Sequence, residues 1–251
     1  MEEWLQKDER IDQLIRHELK IIQSPSVFSF SLDAVLLGDF AQVPKHDRAK
    51  IIDLCAGNGV VGLLLSKKTE SSIMGIELQP RLANMAERSI QMNHLENQLS
   101  IVEGNIKDAL KWVKKDSVDV VTCNPPYFAN EGTSIKNPNS HLAIARHELH
   151  MSLDDLMKVT SDLLKMNGKA YFVHRPDRLL EIIDAMKRHR LAPKKIRFVY
   201  PKENKEANTL LIEAIKDGKA NGFRILPPLI VYNEDNEYLP EVKEMLYGTK
   251  V

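Results

Sequence analysis

From about residue 48 onward, short apolar and β-branched runs alternate with longer amphipathic segments, the two periodicities expected of strands and helices. Lys50–Leu54 reads as a strand, Val60–Lys68 as a helix, Ser72–Glu77 as a strand and Pro80–His94 as a helix. A strand at Leu99–Glu103, a short helix near Ile106–Val113 and a strand at Ser117–Cys123 follow. Beyond a long polar loop, Ser152 is placed to cap a helix that carries Asp154 and Asp155 in its first turn. Gly168 is expected to stop that helix before a strand at Lys169–His174. A helix at Asp177–Arg190 and strands at Lys194–Tyr200 and Thr209–Lys216 complete the pattern.

Strand–helix alternation implies a mostly parallel sheet with helices on both faces. The last two strands are joined by PKENKEAN, which has no room for a crossover helix, so they should run antiparallel. The expected fold is therefore α/β and Rossmann-like, a seven-stranded sheet whose last strand is antiparallel. Residues 1–47 form an N-terminal extension, 48–216 the core domain and 217–251 a C-terminal extension, both extensions expected to fold onto the core.

Thirty-five Lys and Arg balance 35 Asp and Glu, so a nucleic-acid surface, if present, is a local patch and not a property of the whole chain. The two cysteines, Cys55 and Cys123, have no metal-ligand spacing, and the acidic, amphipathic start MEEWLQKDERIDQL is unlike a secretory leader. No run reaches the ~20 apolar residues of a membrane span. A soluble, cytoplasmic protein with no metal, no membrane association and no obligate protein partner is expected.

Candidate chemistry gathers at strand ends. Asp53-Leu54-Cys55-Ala56-Gly57-Asn58-Gly59 closes a strand and opens a helix, and its small residues let the backbone approach a ligand closely. Glu77 ends the next strand roughly 20 residues on, where a carboxylate can accept from ribose hydroxyls. After the third strand, Asn105 can meet an adenine or cap the following helix. The loop, Glu77 and Asn105 resemble the cofactor site of class I S-adenosylmethionine methyltransferases over roughly residues 48 to 215, with Cys55 where that family usually has its first glycine. The resemblance implies S-adenosylmethionine as cofactor, with Leu78 also contributing to its site, and a sheet that ends in an antiparallel strand.

The fourth strand runs into Asn124-Pro125-Pro126-Tyr127-Phe128. Prolines fix φ and donate no backbone hydrogen bond, so their carbonyls stay available. Asn124 adds a side-chain carbonyl, and Tyr127 a flat face for stacking. Two acceptors converging on an NH₂ group can align its lone pair with an electrophilic methyl. The stretch resembles the N-P-P-Y motif of amino-methyltransferases, which act on adenine N6, guanine N2 or a glutamine amide. That likeness implies catalytic roles for Asn124, Pro125, Pro126 and Tyr127, with Asn124 also beside the cofactor.

Phe28–Phe40, Ala145-Arg146-His147-Glu148 and Asn208–Glu213 resemble the corresponding segments of bacterial tRNA adenine-N6 methyltransferases, which modify the adenosine beside the anticodon of a valine tRNA. The likeness implies tRNA as partner and places Asp33 near the cofactor's methionine end; Ser31 could equally cap a helix from Leu32 with Asp33 in its first turn. A release-factor glutamine, an amine in ribosomal RNA or DNA, and a non-catalytic binding module are the alternatives. A stretch from Arg175 to Arg197 carries eight basic residues against three acidic ones, a local excess of five. Arg175, Lys187 and Arg188 there, with Phe128, Lys136 and Arg146 after the motif, are the candidate substrate contacts. His147 and His150 lack a nearby third ligand, so no metal is expected.

Overall fold

The structure is a computed structural model that describes residues 4–27, 31–126 and 151–248. Its first elements are a hairpin, β1 (Arg10–Leu14) and β2 (Leu19–Gln23), paired antiparallel, and helix α1 (Leu32–Phe40). The core follows as β3 (Lys50–Leu54), α2 (Val60–Ser66), β4 (Ser72–Glu77), α3 (Pro80–Met92), β5 (Leu99–Glu103), a 3₁₀ turn at Ile106–Lys111 and β6 (Val118–Cys123). Then come α4 (Leu153–Leu163), β7 (Leu164–His174), α5 (Leu179–Arg188), β8 (Leu191–Tyr200) and β9 (Thr209–Lys216). Two dipeptide strands, β10 (Arg224–Ile225) and β11 (Leu229–Ile230), precede α6 (Pro240–Tyr247).

Among the described residues the seven core strands lie in the order β5-β4-β3-β6-β7-β9-β8. All pairings from β5 to β7 are parallel, and β9 is antiparallel to both neighbours. The expected Rossmann-like architecture stands, with one correction: β10 and β11 pair with the outer side of β8 and bring the sheet to nine strands. Two-residue strands carry too little periodicity to be read from sequence.

Side-chain alternation sends Tyr171 and Val173 of β7 to one face and Ala170 and Phe172 to the other. The first face is covered by α1, α2 and α6, the second by α4, α5 and the 3₁₀ turn. Phe172 is 1% exposed, and burying such a side chain contributes roughly 1.5–3 kcal/mol. Strand order reverses between β3 and β6, and in such sheets the crevice beyond the carboxyl ends of these strands is where ligands bind.

Three local expectations meet the structure differently. Ser152 caps α4 in a reciprocal capping box with Asp155. Gly168 does not stop that helix, which ends at Leu163. Leu164 pairs with Val118 and Lys169 with Val120, so residues 165–168 bulge out of β7 with Asn167 at φ 63°. Ser31 is the N-cap residue of α1, yet its side chain makes no capping hydrogen bond.

Candidate active site

The loop after β3 is built from left-handed backbone. Cys55, Gly57 and Gly59 have φ of 57°, 57° and 85°, a conformation that favours glycine because a Cβ crowds the following carbonyl. Cys55 adopts it with a side chain. Among the described residues a Cβ added at Gly57 would meet nothing within 4 Å, so the backbone there borders open space, whereas one at Gly59 would lie 3.1 Å from Ala86 Cβ. The loop is closed by the Gly59 amide donating to the Ala56 carbonyl at 2.9 Å and tied to β4 by the Ala56 amide donating to the Ile76 carbonyl at 3.1 Å.

Two buried carboxylates back this loop. Glu77 is 5% exposed and accepts from the Gly57 amide through Oε2 and the Gln79 amide through Oε1, both at 2.8 Å. Burial pushes its carboxyl above the ordinary range, opposed by hydrogen bonds from the Gln79, Gly57 and Leu78 backbone. Asp53 is 1% exposed and accepts from Thr122 Oγ1 at 2.7 Å through Oδ1, while its Oδ2 has no hydrogen-bond partner among the described residues. Burial raises the Asp53 carboxyl to about 7, the Thr122 hydroxyl lowering it and the nearby Glu77 charge raising it.

Parallel register sets the second half of the site. Leu54 pairs with Cys123, so the next residues, Cys55 and Asn124, leave adjacent strands side by side. Asn124 and Pro126 are half-buried and Pro125 is buried. Tyr127, Phe128, Lys136 and Arg146 lie outside the described residues, as do His147 and His150. On the cofactor side, Asn105 is half-buried and its side chain accepts from the Lys107 amide at 2.9 Å, the helix-capping alternative. Asn58 donates to the Ile22 carbonyl at 3.1 Å, and Asp33 on α1 lies 3.2 Å from Thr209 Oγ1 at the start of β9.

These features fit a nucleoside cofactor. The open backbone at Gly57 leaves room for a ligand, and the Glu77 carboxylate, with about four lone-pair sites, keeps acceptor capacity for a hydroxyl beyond its backbone amides. The unmatched Asp53 oxygen offers another acceptor behind the loop.

The model of the methyltransferase small domain matches residues 18–189 of this chain. The chain belongs to the methyltransferase small-domain family. It is 30% identical, over 73% of its own length and 75% of the relative's, to a protein of Aliivibrio salmonicida named tRNA1(Val) (adenine(37)-N6)-methyltransferase. A Haemophilus influenzae protein of the same name is 27% identical over 88% of this chain and 90% of that one. Among solved structures, a predicted O-methyltransferase from Agrobacterium tumefaciens superposes with a TM-score of 0.67, at 21% identity, covering 86% and 96% of the two chains. Geranyl diphosphate C-methyltransferase from Streptomyces coelicolor, solved with S-adenosyl-L-homocysteine, gives 0.57 at 16% identity and covers 73% and 74%. At these identities the structural likeness speaks for the fold, which is that of a methyltransferase.

The basic stretch behaves differently from its sequence. Within this methyltransferase fold Arg188 pairs with Asp154 of α4 at 2.8 Å, Arg190 with Asp217 at 2.6 Å and Arg197 with Glu241 of α6 at 2.7 Å. Lys195 forms a largely buried pair with Glu213 of β9 at 2.8 Å, and Arg178 pairs with Glu181. Arg175 donates to the Asn208 carbonyl at 2.8 Å, and Lys194 to the Asn221 carbonyl at 2.7 Å. Lys187 is exposed on α5. The local excess of charge is thus offset by carboxylates that sequence proximity did not reveal. Sequence reasoning also missed the Asp53–Thr122 hydrogen bond and the link from Asn58 to the N-terminal hairpin. The first could have been found from the register of two neighbouring parallel strands, whereas the second has no local signal.

No helix among the described residues is long and apolar enough to cross a membrane, and those residues contain no group of three or more His, Cys, Asp or Glu that could hold a metal.

Proposed function

We propose that this methyltransferase uses S-adenosylmethionine to methylate the exocyclic N6 amine of an adenosine in the anticodon loop of a tRNA, in the cytoplasm. The observation that carries the reading is the pairing of Leu54 with Cys123, from which the glycine loop and Asn124-Pro125-Pro126 emerge together. The names of the Aliivibrio and Haemophilus relatives support tRNA and adenine N6 as substrate. Residues 48–216 would form the catalytic unit, with 1–47 and 217–251 as extensions to it.

The cofactor supplies a methyl group already activated on a sulfonium, so no strong base is needed for the attack. Cys55–Gly59, Asp53, Glu77, Leu78 and Asn105 would line its nucleoside side, with Asp33 and Asn124 toward the methionine side. The Asn124 side-chain carbonyl and the Pro125 carbonyl would accept hydrogen bonds from the adenine NH₂ and turn its lone pair toward the methyl. Held in this way, the amine nitrogen would pass its proton to solvent once methylated, with no side-chain base required. Tyr127 would stack the base after it leaves the anticodon-loop stack, as single-stranded bases do on aromatic faces. Positioning of this kind is worth several kcal/mol, on the order of 7–11 in the best intramolecular cases. Phe128, Lys136, Arg146, Arg175, Lys187 and Arg188 would meet the RNA around the base.

Incubation with methyl-labelled S-adenosylmethionine, with total tRNA and release factor in separate reactions, tests the substrate. Label in tRNA is expected; label in the release factor alone would replace the RNA reading with glutamine methylation at the same Asn124 site.

A further inference from the structure

Arg81 stands in the first turn of α3, a few residues beyond Glu77, and its guanidinium bonds to the N-terminal segment on both sides of the hairpin. It donates to Ser26 Oγ at 3.0 Å through Nη1, and through Nη2 to Ser24 Oγ at 3.0 Å and the Lys7 carbonyl at 3.3 Å. The two serine hydroxyls are themselves 2.8 Å apart, and the Val27 amide closes a turn onto the Ser24 carbonyl at 3.3 Å. Val27 is buried with Ile22, Leu82 and Met85, so the turn is packed on α3 as well as bonded to it. A planar fork with several fixed donors suits this task, since it can hold two hydroxyls at once.

The same segment is gripped from the cofactor side. Asn58, 3% exposed and within the glycine loop, donates to the Ile22 carbonyl at 3.1 Å, while the Ile22 amide donates to Ser89 Oγ of α3 at 3.0 Å. Residues 22–27 are therefore clamped between the glycine loop at one end and Arg81 at the other. Asn58 spends its amide on this contact, which ties the glycine loop to the end of β2, and the turn that Arg81 holds follows directly on that strand.

We propose that Arg81 is a positioning residue for the cofactor: by fixing the Ser24–Val27 turn it holds β2 against Asn58 and keeps the glycine loop in its ligand-ready form. The inference rests on the reading of that loop as the S-adenosylmethionine site. Arg81 touches none of the reacting atoms in this scheme, so its loss should weaken cofactor binding and leave the transfer step intact.

Two measurements on the full chain test it, with Arg81→Ala and Arg81→Lys. Arg81→Ala should raise KM for S-adenosylmethionine about tenfold, a loss typical of charge-assisted hydrogen bonds, with kcat within about threefold. Arg81→Lys should recover part of that loss, because one ammonium cannot serve both hydroxyls and the Lys7 carbonyl equally. Independently, hydrogen exchange without ligand should quicken at Ser26 and Val27 and also at the Gly57 and Gly59 amides, with β6 and β7 unchanged. An unchanged KM, or a fall in kcat alone, overturns the proposal, as does faster exchange that stops at Val27. Should the wild-type chain bind no S-adenosylmethionine, the functional reading falls, and the exchange at Gly57 and Gly59 still decides whether Arg81 controls the loop.

Discussion

The two halves of the sheet use their polar groups in opposite ways. Beyond β3, β4 and β6, polarity is held by the backbone and by buried carboxylates: Gly57 and Gln79 amides on Glu77, Thr122 on Asp53, and one Asp53 oxygen without a partner among the described residues. Across β8, β9 and α5, polarity is carried by long side chains that find partners on other elements, Arg188 with Asp154, Arg190 with Asp217 and Lys195 with Glu213. The first region leaves one buried carboxylate oxygen without a partner among the described residues, behind a loop whose Gly57 backbone borders open space. The second spends its charge internally, and its exposed pairs each contribute little, about 0–1 kcal/mol. Unspent buried polarity costs folding free energy, so an unpartnered carboxylate oxygen behind the glycine loop is a mark of a ligand site.

The contrast can be broken most sharply at Asn124. Asn124→Ala should cut turnover on the order of 100-fold or more, as loss of one oriented hydrogen-bonding group does elsewhere, while cofactor affinity measured by calorimetry, to which Asn124 adds one contact among many, falls far less. Parallel loss of both would remove the division between amine cradle and cofactor loop. Glu77→Ala should act the other way, weakening cofactor binding by about 10- to 100-fold through the loss of a buried charged acceptor. Unchanged affinity would take Glu77 out of the cofactor site and leave it a brace for the Gly57 and Gln79 amides.

A third effect is smaller and depends on pH. The Asp53 carboxyl is raised in the folded chain from 3.8 to about 7, so the protonated form is favoured by folding. Its contribution to stability is fully present below pH 3.8 and is lost as pH rises through about 7. Asp53→Asn removes that loss, so the melting temperature of the variant relative to wild type should climb across this window. A flat difference would show that Asp53 stays ionised throughout. The smallest effects belong to the basic stretch. Arg188→Ala should change stability by less than about 1 kcal/mol, since its pair with Asp154 is exposed. Lys187→Ala should lower the salt slope of tRNA binding by about one if this lysine meets a phosphate. An unchanged slope would move the RNA surface off α5.

The sequence showed most where a local rule acts on backbone. Strands and helices of the core, the antiparallel turn at PKENKEAN and the Ser152 cap follow from periodicity and turn chemistry that nearby residues determine. So does the nesting of small residues from Cys55 to Gly59. Gly168 misled because a glycine permits a bulge in a strand as readily as it stops a helix, and the deciding fact is the pairing of β7 with β6. The partners of the basic stretch were illegible for a related reason: Asp154, Asp217, Glu213 and Glu241 come to it only after the chain has folded. Arg81 and Asn58 were illegible because their partners, Ser24, Ser26 and Ile22, are more than 30 residues away along the chain.

The position of the methyl group on its product tests the central claim most directly. After reaction with tRNA, digestion to nucleosides and mass spectrometry should return N6-methyladenosine, the product of an exocyclic amine held by Asn124 and Pro125. A methyl group on a ring nitrogen, a ribose oxygen or a carbon would contradict the amine cradle, even if S-adenosylmethionine were consumed.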